Sequence, residues 1–177
     1  MNQFTIKSGH QITVRKPLIS EGLHLIELKR SYIENATTLP ILLEEYPIDI
    51  EKETNLIRDF DESQNSILLV AEHDGKLIGN IDLTGSKRAK MSHTAMLGMG
   101  IHNDWQNKGV GRILIEAAIG WAKNQSPFKL IWLDVYASND RGINLYKSTG
   151  FEVSGVIKGF FKEGEKVIDK IQMYQKI

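Results

Sequence analysis

Cysteine is absent from the chain, which excludes disulfides, thiolate-bound metals and a cysteine nucleophile, and leaves the redox compartment open. Net charge is absent as well: 22 lysines and arginines balance 22 aspartates and glutamates, so no overall field draws the protein to nucleic acid or to an anionic membrane. No apolar run approaches the roughly 18 residues of a transmembrane helix, and the opening MNQFTIKSGH lacks the apolar segment of a signal peptide. A cytoplasmic location is the expectation. Internal repeats, low-complexity tracts and Pro/Gly/Ser linkers are missing too. The histidines stand singly, without i, i+4 ligand spacing, so no metal is expected. A G-x-S-x-G elbow for an acyl-serine enzyme does not occur.

What is present suits one domain spanning 1–177. Of the 177 residues, 41% are hydrophobic and 25% charged, ordinary values for a globular chain with one sizeable core. Phe4, Ile6, Ile12 and Val14 alternate with polar residues around Ser8-Gly9-His10, predicting a strand, a turn and a strand. Ser20 is placed to cap a helix running to about Asn35. A loop around Pro40 and Pro47 then leads to a polar helix over Ile50 to Gln64. Ile67 to Glu72 and Leu77 to Leu83 flank an Asp74-Gly75 turn, a strong hairpin signal because Asp-Gly supplies positive φ.

A basic loop, Gly85 to Ser92, precedes a strand over His93 to Ile101. Gly98 and Gly100 within that strand weaken its pairing and signal a bulge or a close approach by another backbone. From Val110, apolar residues recur at Ile113, Leu114, Ala117, Ala118 and Trp121, which is helical spacing. Leu130 to Tyr136 reads as a strand covered on both faces. Asn139 or Asp140 can cap the short helix that follows, and Gly150-Phe151 can stop it. Phe151 to Phe161 and Lys166 to Tyr174 predict a closing hairpin. The expected fold is α/β (α+β), with a mixed, mainly antiparallel sheet of six to seven strands and helices on both faces.

The stretch Met99 to Lys123 organises the rest. A strand, a glycine-bearing loop and a long helix bring unpaired N–H groups and the positive end of a helix dipole to one point, where phosphate binds. Gly109 and Gly111 let a ligand oxygen reach the main chain, and Lys108 and Arg112 add positive charge. Both nucleotide readings are weakened, because Leu114 occupies the place of the dinucleotide fingerprint's third glycine and no P-loop run occurs.

Gln106-Asn107-Lys108-Gly109-Val110-Gly111 resembles the Q/R-x-x-G-x-G/A loop of the GCN5-related N-acetyltransferases. Asn139 followed by Leu145-Tyr146-Lys147-Ser148-Thr149-Gly150-Phe151 resembles the second signature of that family, in the right order and spacing. The resemblance covers about Ser66 to the C-terminus. It implies acetyl-CoA as co-substrate, with its pyrophosphate on Gln106, Asn107, Lys108, Gly109, Val110, Gly111 and Arg112. It also implies that the strand bearing Met99 and Ile101 splays from its neighbour and takes the pantetheine arm into the gap. Asn139 would bond the pantetheine amide or cap its helix, and Asn144 and Lys147 would reach the CoA phosphates.

Acyl transfer from a thioester needs a neutral amine, a polarised carbonyl and a proton for the departing sulfur. Tyr146 is the expected general acid, because a phenol with a pKa near 10 is protonated at neutral pH. Glu72 or His93 is the candidate general base, directly or through water. The resemblance places the acceptor between the first two helices and the last hairpin, at Leu39 to Asp49 and Gly159 to Lys166. Glu44, Glu45 and Asp49 would suit a cationic amine such as a polyamine, an aminoglycoside or a protein N-terminus. Direct transfer to a primary amine in a ternary complex is the leading reading. The alternative is a non-catalytic acyl-CoA sensor. A nucleic-acid module using Lys87 to Lys90 is disfavoured by the neutral chain. The closing hairpin also offers a sheet edge through which a homodimer could form.

Overall fold

The computed structural model describes residues 2–6 and 8–177. Strands β1 (Asn2–Thr5), β2 (Gln11–Arg15), β3 (Ser66–His73), β4 (Lys76–Gly85), β5 (Thr94–Ile101), β6 (Leu130–Tyr136), β7 (Glu152–Glu163) and β8 (Lys166–Lys176) form one sheet in the order β1-β2-β3-β4-β5-β6-β8-β7. The sheet has eight strands rather than six to seven. The short β1 is long enough to pair with β2 from Asn2↔Val14 to Thr5↔Gln11 and so extends the edge.

Helices α1 (Gly22–Ile33) and α2 (Ile50–Glu62) cover one face, and α3 (Val110–Gln125) covers the other; α4 (Asp140–Ser148) follows β6. The alternation of β3 shows why both faces are covered. Ile67, Leu69 and Ala71 join the core beneath α3, while Leu68 and Val70 join Leu25, Leu28 and Ile57 of α1 and α2. On α3, Val110, Ile113, Leu114, Ile115, Ala118, Ile119 and Ala122 are buried. Burial of each large aliphatic side chain is worth about 1.5–3 kcal/mol, far more than helix propensity supplies.

Local chemistry sets the boundaries. The β3–β4 hairpin turns on Asp74 (φ 47°) and Gly75 (φ 76°), both left-handed as a tight hairpin requires. Asp49 caps α2 by accepting from the Lys52 N–H at 2.9 Å. Gly150 (φ 98°) ends α4, and the adjacent Phe151 is buried. Ser20, however, is not a helix cap. It lies within a 3₁₀ turn, Ile19–Glu21, whose Glu21 carboxylate accepts from the Leu18 N–H at 2.6 Å, so α1 starts only at Gly22.

The feature that positions the site is the junction of β5 with β6. It is the parallel pairing in an otherwise antiparallel sheet, and its register holds at only three positions, Thr94↔Leu130, Ala95↔Ile131 and Met96↔Trp132. Beyond Met96 the strands part. β4 follows β5 to Ile101 on the other side, so the β5 groups facing the gap have no ladder partner there. No helix among the described residues is long and apolar enough to cross a membrane.

Candidate active site

The loop between β5 and α3 folds on two left-handed residues, Asn107 (φ 61°) and Gly109 (φ 94°). Left-handed residues so close together curl successive N–H groups into a concave anion-binding surface. Gly109 is the N-cap of α3, and no side chain caps the helix. The first N–H groups of α3, which have no partner inside a helix, thus remain available to a ligand. Gly111 is needed for a different reason. A Cβ there would fall 2.8 Å from Leu145 Cδ2 and 3.0 Å from Ile101 Cδ1, so its hydrogen lets α3 seat against α4 and β5.

This loop borders a cleft of about 690 Å³, large enough for most of a cofactor-sized ligand. The cleft is lined by Met99, Gly100 and Ile101 of β5, by Gln106, Asn107, Gly109, Gly111 and Arg112, and by Ser138 to Gly142 with Leu145 and Tyr146. Its remaining wall is Tyr32 with residues 35–39 at the end of α1, and Asn103.

Nine of the residues singled out from the sequence meet in this cleft: Met99, Ile101, Gln106, Asn107, Gly109, Gly111, Arg112, Asn139 and Tyr146. Some of them also brace the walls. Gln106 Nε2 donates to the Ile101 carbonyl at 3.2 Å and to Asn103 Oδ1 at 3.1 Å. Arg112 donates to Ser148 Oγ at 2.8 Å and to the Ser148 carbonyl at 3.3 Å, tying α3 to α4. Asn139 Oδ1 caps α4 through the Gly142 N–H at 2.9 Å, and its residue still lines the cleft. Capping and ligand contact are therefore not exclusive.

Tyr146 packs edge-to-face on Phe151, with ring centroids 5.8 Å apart, and its hydroxyl has no hydrogen-bond partner among the described residues. Burial pushes the phenol up to about 12, because the charged form would lose its hydration. It stays protonated, and able to donate, throughout the neutral range.

Six expected residues do not line the cleft. Lys108 lies over the Trp105 ring, 5.2 Å from its centroid. Val110 is buried in the core beneath the sheet. Asn144 and Lys147 stand exposed on α4. Glu72 is held by Arg15, whose Nε donates to Oε2 at 2.7 Å while the same guanidinium binds Glu21 at 2.6 Å. His93 is exposed beside the start of β5, about 25 Å along an extended strand from Ile101. Glu72 and His93 thus both stand outside the lining of the cleft.

In the expected acidic docking segment, Glu44, Glu45 and Asp49 are all exposed, two of them with a local structural task. Glu45 accepts from the Leu42 N–H at 2.8 Å and Asp49 caps α2, which leaves Glu44 alone exposed without such a task. Leu39, at the start of that segment, does reach the cleft. The lining residues the sequence did not flag include Tyr32, residues 36–38, Asn103 and Ser138. For Tyr32 the available signal was Gly100, because a Cβ there would overlap the Tyr32 ring.

Residues 34–151 match the acetyltransferase (GNAT) family model. Over 105 residues the chain is 30% identical to an L-amino acid N-acetyltransferase of Escherichia coli, a match covering 59% of this chain and 65% of that protein. An N-alpha-acetyltransferase of Sulfurisphaera tokodaii is 24% identical over 90% of this chain and 91% of its own. Among solved structures, a phosphinothricin acetyltransferase of Sinorhizobium meliloti in complex with acetyl-CoA superposes with a TM-score of 0.83. That superposition is at 17% identity and covers 94% of this chain and 88% of the other. With two motifs meeting in one cleft and two thirds of the chain under the family model, the protein belongs to the GNAT acetyltransferase family.

Proposed function

We propose that this enzyme transfers an acetyl group from acetyl-CoA directly to the α-amino group of an amino acid or of a protein N-terminus. The observation that carries the proposal is the convergence of the uncapped α3 N-terminus and the parted β5–β6 junction on one cleft. The pyrophosphate binds the N–H groups of Gly109 to Arg112 at the positive end of the helix. The pantetheine arm lies in the gap and hydrogen-bonds β5 as an added strand would. A β5 N–H facing that gap polarises the thioester carbonyl, and Tyr146 protonates the departing sulfur.

Direct transfer is favoured over an acyl-enzyme because the chain has no cysteine. The cleft hydroxyls of Thr37, Thr38 and Ser138 have no histidine beside them in its lining. An α-amine is favoured by the names of both relatives and by chemistry. An α-amino group has a pKa near 8, so about 1 kcal/mol deprotonates it at pH 7, against about 4–5 kcal/mol for a lysine amine near 10.4.

The test is calorimetric titration with acetyl-CoA, followed by thiol release across free amino acids, peptides with free N-termini and polyamines. Saturable binding with release that requires an α-amine supports the proposal. Release with polyamines alone would overturn the acceptor class, and absence of acetyl-CoA binding would overturn the reading of the cleft.

A further inference from the structure

On the face of β5 turned toward α1 and α2, alternate positions carry Met96, Gly98 and Gly100. Two consecutive glycines on one face leave a bare strip, and other residues fill it. The Tyr32 ring lies over Gly100, and the carboxyl of Asp82, the β4 partner of Gly98, lies over Gly98. A Cβ on Gly98 would fall 2.6 Å from Asp82 Oδ1. Gly98 and Gly100 are about 7 Å apart along the strand, and both lie beyond Met96, where β5 has left β6. Asp82, on β4, thus lies over β5 at the stretch that has parted from β6, one alternate position from the Gly100 and Tyr32 that line the cleft, although Asp82 itself is outside that lining.

The two oxygens of Asp82 differ. Oδ2 accepts from the Thr84 hydroxyl at 3.0 Å. Oδ1, the atom nearest Gly98, has no hydrogen-bond partner among the described residues. The charged groups facing Asp82 from α1 and α2 are committed elsewhere. Lys29 Nζ donates to Glu53 at 2.7 Å, Glu53 also accepts from the Tyr46 hydroxyl at 2.6 Å, and the Tyr32 hydroxyl donates to Asn80 at 3.1 Å. Lys29 acts on Asp82 only at a distance. Across the gap, on the same face of the sheet, Asp134 of β6 is neutralised by Lys170 at 2.8 Å and bonded by Gln172 at 3.3 Å. Of the two carboxylates flanking the gap, Asp134 is paired and Asp82 is not.

We infer that Asp82 is the group that accepts the proton of the incoming ammonium, through the Oδ1 that lies over Gly98; the inference rests on the transfer proposed above. The ammonium gives one proton to the Asp82 carboxylate. The nitrogen lone pair attacks the thioester carbon, the C–N bond forms, and the C–S bond breaks with its electron pair on sulfur. The second proton lost by nitrogen replaces the one that Tyr146 donates to that sulfur, and Asp82 returns its own proton to solvent. Products are the amide, the thiol and one proton. Burial raises the Asp82 carboxyl from an ordinary 3.8 to about 6. The equilibrium against an amine near pH 8 is then about two powers of ten uphill instead of about four, the matching expected of a general base.

The experiment is kcat/KM against pH for wild type and Asp82→Asn, with α-amines of graded basicity, alongside acetyl-CoA affinity by calorimetry and a thermal melt. Wild type should show an acidic limb near pH 6. In Asp82→Asn that limb should vanish and kcat fall about 10²–10⁴-fold, with acetyl-CoA affinity within about twofold, and the deficit should shrink as the acceptor becomes less basic. Gly98→Ala, which leaves the carboxyl in the chain but pushes Oδ1 aside, should reproduce the loss even if Asp82→Asn fails to fold. A folded Asp82→Asn with wild-type rate and limb would overturn the inference, as would loss of the limb in Asp134→Asn alone. Wild type that binds acetyl-CoA but acetylates no amine would instead overturn the proposed transfer, and this inference with it.

Discussion

Asp82→Asn should make the protein more stable at neutral pH. The aspartate carboxyl rises from 3.8 to about 6 on folding because burial penalises its charged form, with only the Thr84 hydroxyl and the more distant Lys29 to offset that penalty. A shift of about two units at about 1.4 kcal/mol each amounts to roughly 3 kcal/mol. The sign follows from the direction. The folded protein holds this proton more tightly than the unfolded chain, so the contribution is fully present below pH 4 and is lost as pH rises through 6. Asparagine keeps an acceptor for Thr84 and carries no charge, so it escapes the loss. Urea unfolding of both proteins at pH 4, 5, 6, 7 and 8 isolates the effect, because other titrating groups such as the Arg15-bound Glu21 cancel in the difference. The gap between variant and wild type should widen by about 3 kcal/mol between pH 4 and 7, or roughly 5–10 °C in Tm for a chain of this size. A difference that stays flat from pH 4 to 8 would refute the account of Asp82 as a buried, uncompensated charge.

Tyr146→Phe should lower kcat at least about tenfold with acetyl-CoA affinity and Tm nearly unchanged, because the hydroxyl removed has no partner among the described residues; steady-state kinetics with an unchanged kcat would take the phenol out of the reaction. Gly111→Val should weaken acetyl-CoA binding more than about tenfold in calorimetry, since even a Cβ meets Leu145 and Ile101 within 3.0 Å and the larger side chain forces α4 off α3. Retained affinity in a folded variant would sink the phosphate cradle. Glu72→Gln should cost about 1.5–3 kcal/mol in urea unfolding, the worth of a hydrogen bond to a charged group, and leave kcat intact; a large fall in kcat would return Glu72 to the chemistry.

The parts of this molecule legible in its sequence are those that short-range physics decides. The apolar spacing of α3, the Asp74-Gly75 hairpin and the Gly150 stop each concern neighbours within a turn or two, and each lies where the pattern put it. The glycine-bearing loop that borders the cleft is legible for the same reason, as strand, loop and helix are contiguous. The long-range partners of the candidate bases are not. Glu72 and His93 were attractive because they sit at strand ends, yet what decides their use is a partner far along the chain: Arg15 claims Glu72 across 57 residues. Gly98 and Gly100 signal a bulge or another backbone, and the structure places side chains there instead, with the β4–β5 register unbroken. That Asp82 and Tyr32 are what approach depends on sheet register and on the seating of α1, neither of which a local window encodes. Lys108 shows the converse error, for a cation in the right loop can still turn away when an aromatic ring such as Trp105 lies nearer.

The three paired positions between β5 and β6 have a mechanical meaning. Five strands lie on one side of that seam and three on the other, and beyond Met96 the seam is left unsewn. A ligand seated there would act as the missing rung, lending its own amides to close a tear that the polypeptide leaves open. Occupancy of the seam would then be felt as stiffness by both arms of the sheet, with amide exchange at residues 97–101 slowing first. Departure of the spent ligand would slacken both arms together, so the turnover of the enzyme is written into its elasticity.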